Sequence, residues 1–303
     1  MGLLTRKAAQ PKGLLGIELS PNGVALAHVQ RSPEVTPQLL HCAFREGAHP
    51  ATLKTLVSEF GLAGRPVNLL LHPADYRIFL LEAPDVPANE LRDAMRWRVK
   101  DLISEPLDSV VLDCFLLPEN AYRGRNRLAY CAALDKSRMQ ALAAQIRQAG
   151  LRLSSIDITE MVFRNLGLLA GAQQGGNVAV LRLRSSEGLV CIQNGEALYL
   201  ARRLEHGVVH GAQDLASMTL EIQRTLDYFE SQLGVGHIGR MLLLPMKHDG
   251  DITRHTLAQS LAVNLQALDL RTLFPGQPSA DLSEELQAFC MGAVGAALRQ
   301  DAR

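Results

Sequence analysis

Two short stretches place charge where a strand would display it. In Leu14–Val29 the carboxylate of Glu18 and the hydroxyl of Ser20 lie two residues apart, and in Asn177–Arg203 the guanidinium groups of Arg182 and Arg184 do the same. Strand side chains repeat every two residues, so each pair projects to one face. Arginines in such a pair attract phosphate or carboxylate groups. A third concentration is Arg92, Arg96, Trp97, Arg98 and Lys100. Tryptophan and arginine are frequent interface anchors, which suits the docking of a partner tail; a core tryptophan beside solvated cations is the plainer alternative.

Other candidates read as structural. His206 and His210 have helical spacing, and His248, Asp249, Asp251 and His255 cluster, yet no cysteine accompanies either group and glycine interrupts both. No metal site is expected there. Arg123, Arg125 and Arg127 surround Gly124 in what reads as an exposed hairpin tip. Lys plus Arg and Asp plus Glu each number 31, so no overall field recruits nucleic acid, and lipid headgroups suit that turn better. No serine elbow, phosphate loop or dinucleotide fingerprint occurs, and Gly234-x-Gly236 follows a helix and reads as its terminus. Five scattered cysteines (Cys42, Cys114, Cys131, Cys191, Cys290) lack CxxC spacing and mostly sit in apolar runs, so a reducing compartment is expected. With no signal peptide and no span-length apolar run, the chain reads as cytoplasmic, with only a weak surface contact open to Leu3, Leu4, Arg6 and Lys7.

The elements that must position these residues follow from spacing. At 303 residues, 47% hydrophobic and 20% charged, the chain is long enough for two ordinary domains. Leu15, Ile17 and Leu19 alternate up to Pro21-Asn22-Gly23, after which Val24 and Leu26 resume, which predicts a β-hairpin. A similar hairpin opens about 160 residues later, turning at Ser185–Gly188, so two similar domains are expected. Between them the pattern predicts strands at Pro37–Phe44, Val67–Leu71 and Tyr76–Leu81 and a helix at Ala51–Phe60, together a mixed α/β layer. The Pro84–Asp113 segment predicts a helix with Leu91, Met95, Val99, Leu102 and Ile103 on one face, closed by Pro106. Strands follow at Val110–Leu117 and Leu128–Leu134, then a helix at Ser137–Ala149, a strand at Leu151–Ile158 and a helix at Glu160–Leu169. Gln173–Gly176 reads as the domain junction. Beyond the second hairpin come a long helix at Asp214–Leu233, a strand at Met241–Leu244, a helix at Thr256–Leu265, a loop at Pro275–Asp281, and a last helix at Leu282–Leu298 whose small residues permit close backbone approach.

These residues in this order resemble the actin-like proteins of type IV pilus assembly, the PilM family, and within it the MshI type of mannose-sensitive haemagglutinin pilus biogenesis. The likeness runs along nearly the whole chain. Glu90-Leu91, Ala94, Arg96-Trp97, Pro106-Leu107-Asp108 and Asp113 look like the family's inserted subdomain. Gly150–Asp157 with Glu160 looks like the end of its first domain, and Glu221–Leu226 with Phe229 like the long helix of its second. The resemblance implies an α/β, actin-like ATPase fold of ribonuclease H-like duplicated domains. Residues 1–12 would be a flexible N-terminus, 13–172 the first lobe with an inserted subdomain at about 84–127, and 177–303 the second lobe. It further implies a central cleft for nucleotide and a docking site for the cytoplasmic segment of a PilN-like bitopic inner-membrane protein, through which any membrane contact is mainly made.

The cleft positions Glu18, Ser20, Asn22, Arg182, Arg184 and Ser185 depart from the nucleotide-binding pattern. Glu18-Leu19-Ser20 stands for the first Asp-x-Gly, Arg182-Leu183-Arg184 reverses the charge of the second, and Leu244-Pro245-Met246-Lys247 replaces a glycine pair. Phosphates need close backbone approach and magnesium needs an acid, so ATP and magnesium are disfavoured as cofactors and ATPase activity is not expected. If the hairpins face one another, Glu18 can pair with Arg182 or Arg184 across the cleft; solvated arginines are the alternative. The reading is a scaffold peripheral to the inner membrane, with Arg92, Arg96, Trp97, Arg98 and Lys100 as docking residues and Val110–Leu117 as a strand edge for an extended peptide. A nucleotide-dependent ATPase or switch is the competing class. A third reading, a type II secretion platform component, would expect a following membrane span, whereas the chain ends at Arg303.

Overall fold

The structure is a computed structural model that describes residues 13–32, 35–87, 89–121, 127–171, 175–208, 212–247, 250–276 and 281–300. Leu3, Leu4, Arg6 and Lys7, the basic-turn residues Arg123 and Arg125, Gln173-Gln174 of the expected junction, His210, His248 and Asp249 lie outside the described residues. In chain order the elements are β1 (Leu14–Ser20), β2 (Gly23–Ser32), β3 (Val35–Glu46), α1 (His49–Glu59), β4 (Pro66–Leu70), β5 (Tyr76–Glu82), α2 (Leu91–Lys100), β6 (Val110–Leu116) and β7 (Leu128–Asp135). They continue with α3 (Lys136–Gln148), β8 (Arg152–Asp157), α4 (Thr159–Leu169), β9 (Asn177–Leu183), β10 (Gly188–Asn194), β11 (Ala197–Leu204) and α5 (Ala212–Tyr228). The last are β12 (Ile238–Leu243), α6 (Gly250–Ser260), β13 (Leu265–Ala267), α7 (Leu270–Leu273) and α8 (Glu284–Ala297).

Two five-stranded sheets share one topology: β3-β2-β1-β4-β8 in the first and β11-β10-β9-β12-β13 in the second. In each, a hairpin and a third antiparallel strand are extended by two parallel strands, so the two similar hairpins open two similar sheets. The alternation also layers the molecule. Leu15, Ile17 and Leu19 face outward beneath α1 and α3, whereas Ala25, Ala27 and Val29 face inward. The inward cluster continues through Val162, Phe163 and Leu166 of α4 and Val294 and Ala297 of α8 to Val178 and Val180 of β9. Helices α4 and α8 therefore lie between the two sheets, and α5 and α6 cover the far face of the second.

Helix α8 closes the fold in a way the lobe boundaries at 177–303 do not convey. Although it ends the chain, it packs on β1, β2 and β4 of the first sheet. Two glycines make the approach possible. A Cβ on Gly16 would overlap the Ala293 carbonyl of α8, and a Cβ on Gly292 would overlap the Glu18 carboxylate. Buried Asn68 and Asn165 donate to the Ala296 and Gly295 carbonyls (3.0 and 3.1 Å), satisfying last-turn groups that a helix leaves open.

Several expected elements differ. Helix α2 ends at Lys100 and does not continue through Ile103. The Leu102 amide closes on Val99 in a tightened last turn at 2.9 Å and Leu102 turns outward at 49% exposure. The inserted unit is a three-stranded sheet, β5-β7-β6, so it takes in Tyr76–Glu82 and Leu128–Asp135 as well as the 84–127 stretch. The helix expected at Thr256–Leu265 starts earlier, at Gly250, and stops at Ser260. Leu261, Val263 and Leu265 have strand alternation, and Leu265–Ala267 pairs in parallel with Met241–Leu243. The long helix of the second half changes to π geometry at Phe229–Leu233, with Gly234 as its left-handed cap (φ 61°).

Candidate functional site

A cleft of about 900 Å3 opens between the two hairpin turns, floored by α8 and bounded by the loop after β12. Glu18, Ser20, Asn22, Arg182, Arg184 and Ser185 all line it, as do Leu244, Pro245, Met246 and Lys247. The two-residue period brings this about. On β1 the positions opposite Leu15, Ile17 and Leu19 are Gly16 and Glu18, which face α8. On β9 Val178, Val180 and Arg182 share the face that meets α4.

The charges are paired within the protein. Arg184 Nη2 donates to Glu18 Oε1 at 3.3 Å, joining the second hairpin to the first, and lies 3.6 Å from Glu187 on its other side. Glu18 has a side chain only 9% exposed, against 31% for Arg184. Arg182 does not reach Glu18: its guanidinium lies over the Phe163 ring at 5.0 Å and within 3.7 Å of Glu187. Burial, and then the neighbouring Arg184, pull its pKa down to about 10. Solvated arginines at an open cleft are therefore not what the structure contains. Lys247 sits over Phe289 at 3.7 Å, and Phe289 stacks on Phe44 at 3.9 Å. Burial and then Arg184 lower the pKa of both Lys247 and the nearby His72.

A second connection between the lobes lies beside the cleft. Tyr76 Oη donates to Glu160 Oε2 at 2.6 Å, the Thr159 amide donates to Tyr76 Oη, and Arg203 of β11 approaches Glu160 Oε1 to 3.6 Å. Arg203 also covers the Tyr76 ring at 5.1 Å and donates to the Pro73 carbonyl. Glu160 is 1% exposed, in the first turn of α4, where a helix favours negative charge. Sequence reading missed this network. Tyr76, Glu160 and Arg203 are 43 to 127 positions apart, and no local pattern joins them.

This donor set is a poor match for a magnesium nucleotide. Such a complex needs a carboxylate open to the ion and backbone open to the phosphates. Here Glu18 is held by Arg184 and buried against Gly292, Glu187 is held by both arginines, and Met246 and Lys247 stand beside the cleft after β12. A divalent ion would have to displace arginine from each acid.

The second set of candidate residues lies elsewhere, on the inserted sheet. Leu91, Met95 and Val99 bury one face of α2 against Ala129, Cys131 and Ala133. Arg92, Trp97, Arg98 and Lys100 are exposed on the other faces, and Trp97 at 67% exposure is not a core residue. Lys100 lies over its ring at 5.6 Å. Arg96 differs from the rest: it turns back to donate to the Leu107 carbonyl at 3.0 Å and is 29% exposed. Among the described residues, strand β6 pairs only with β7 and forms an edge of the sheet. Of the expected histidine groups, His206 approaches Glu221 at 3.5 Å, and no cluster of metal-ligating residues occurs among the described residues.

No protein-family model matches the chain, and no curated protein matches it. Solved structures do. The PilM-PilN type IV pilus biogenesis complex is similar at a TM-score of 0.73 and 22% identity, over 96% of this chain and 98% of that one. A Bacteroides thetaiotaomicron protein described as having an actin-like ATPase fold and unknown function is similar at a TM-score of 0.51 and 13% identity, over 92% and 96%. The chain has the actin-like ATPase fold.

Proposed function

We propose that this protein is a non-hydrolysing actin-like scaffold of type IV pilus assembly, of the MshI type, working at the cytoplasmic face of the inner membrane. The observation that carries the reading is the Glu18–Arg184 pair. It joins the two hairpins with the protein's own charges where an actin-like ATPase would place phosphates and metal. Similarity to PilM along nearly the whole chain, in a structure whose other component is PilN, supports a PilN-like bitopic partner. Its cytoplasmic segment docks on the inserted subdomain, with Trp97 and the cations of α2 as anchors and the β6 edge open to an extended peptide. No helix among the described residues is long and apolar enough to cross a membrane, and in this reading the partner supplies the attachment.

The test is calorimetric titration of the purified protein with ATP, with and without magnesium, then with the cytoplasmic peptide of the pilus-operon membrane protein. Peptide binding without nucleotide binding is the expected result. Magnesium-dependent ATP binding that changes peptide affinity would replace the scaffold with a nucleotide switch.

A further inference from the structure

Spacing scatters the five cysteines; the inserted sheet brings two of them together. In the antiparallel ladder of β6 and β7, Cys114 is the direct partner of Cys131. Directly opposed residues in such a ladder have Cα atoms about 4.5 to 5.5 Å apart and side chains on the same face, inside the ~4.4 to 6.8 Å window of a disulfide. The two Sγ atoms are 2.9 Å apart, with the Cys114 thiol donating to Cys131. Both residues are free thiols; Cys131 is buried under α2 and Cys114 is partly buried at the margin of the same cluster. From this placement we infer that Cys114 and Cys131 are an oxidisable dithiol, a reversible modification site for a small hydroperoxide.

The step balances without a metal. Peroxide reaches the partly buried Cys114, whose sulfur forms an S–O bond as the O–O bond breaks; the thiol proton leaves with the departing hydroxide as the first water, and a sulfenic acid remains. Cys131, already in contact, forms the S–S bond and displaces the hydroxyl, which leaves with the Cys131 proton as the second water. Two thiols and one hydroperoxide become one disulfide and two waters, or one water and one alcohol from an alkyl hydroperoxide. A thiol reductant reverses it by exchange.

The structural consequence falls on β6. Among the described residues this edge strand is hydrogen-bonded to its sheet through β7 alone, so a cross-link at mid-ladder restricts its opening. Cys42 and Cys290 supply an internal comparison. Their thiols also interact, but across a strand and a helix, with Cys290 inside the inter-sheet core. They have no ladder register to align them.

The native protein is treated with equimolar hydrogen peroxide, quenched with an alkylating agent, unfolded and mapped by peptide mass spectrometry without reductant. The expected map contains one intrachain link, Cys114 to Cys131, with the thiol titre falling by two from the five of the reduced chain. Reductant restores it, and C114S lacks it. Amides of β6 then exchange at least about tenfold more slowly in the oxidised form. An unchanged titre, a link between two chains, or Cys114 oxidised to sulfinic acid without a link would each overturn the inference. Should C114S fail to fold, the map of the native protein decides alone.

Discussion

The interlobe cleft and the outer face of α2 are both rich in cations, and the fold treats the two sets in opposite ways. In the cleft, Arg184 and Arg203 each meet a carboxylate from another element, Arg182 meets Glu187 of its own hairpin turn and the Phe163 ring of α4, and Lys247 meets an aromatic ring. On α2, among the described residues, Arg92 approaches its chain neighbour Asp93 at 4.0 Å and Lys100 covers an exposed tryptophan, while Arg96 alone of the set turns back to Leu107 and Asp108. A cluster of basic residues is therefore not by itself a ligand site. What decides is whether the tertiary fold supplies the counter-charge. Where it does, the cations fasten lobes; where it does not, they are available to a partner.

That contrast can be broken from the cleft side first. Gly16→Ala pushes a methyl group into the Ala293 carbonyl and forces α8 off the first sheet. It should cost about 3 kcal/mol or more in denaturant unfolding, at the upper end of overpacking changes; a loss below about 1 kcal/mol would mean that α8 is loosely held. Tyr76→Phe removes the donor to buried Glu160, with an expected loss of about 2 kcal/mol by the same measurement.

Arg184→Glu sets a like charge against Glu18. Because Arg184 is about one-third exposed, a loss of only about 1 kcal/mol is expected, together with a larger radius of gyration by small-angle scattering. An unchanged radius and stability would argue that the pair does not hold the lobes. His72 reports on the same charge more gently. Burial and Arg184 lower its pKa in the folded state from 6.5, so the unfolded chain takes the proton first. Its contribution to stability is present above that value and is lost as pH falls through the folded-state pKa. NMR titration of His72 should show a higher midpoint in the Arg184→Glu variant than in the parent protein.

On the other side, Trp97→Ala should change stability by no more than about 0.5 kcal/mol, since the ring is mostly solvated. It should nevertheless weaken the partner peptide in calorimetry. A large stability loss would make Trp97 a packing residue and erase the contrast.

Much of this arrangement is legible in the chain. Period-two alternation at Leu15–Leu19 and Val178–Arg182 identifies both hairpins and which face carries Glu18 and Arg182. The small residues Gly292, Gly295 and Ala296 announce a helix built for close approach. Other features escaped local reading. Leu102 and Ile103 continue a helical stripe, but the turn tightens after Val99 and they leave the helix. Leu261, Val263 and Leu265 fit either period, and only a place beside β12 makes the last a strand residue.

The sequence by itself determined the strand and helix faces, because side-chain direction repeats within a few residues of backbone. It also determined that arginines stand at positions 182 and 184 of the second hairpin, because residue type needs no fold to be read. Only the tertiary structure decided that Arg184, and not Arg182, meets Glu18; that Glu160, Tyr76 and Arg203 converge; and that Cys114 faces Cys131. These depend on strand register and on how closely α8 and the two sheets approach. Both are settled by packing among residues far apart in the chain, which no local period records.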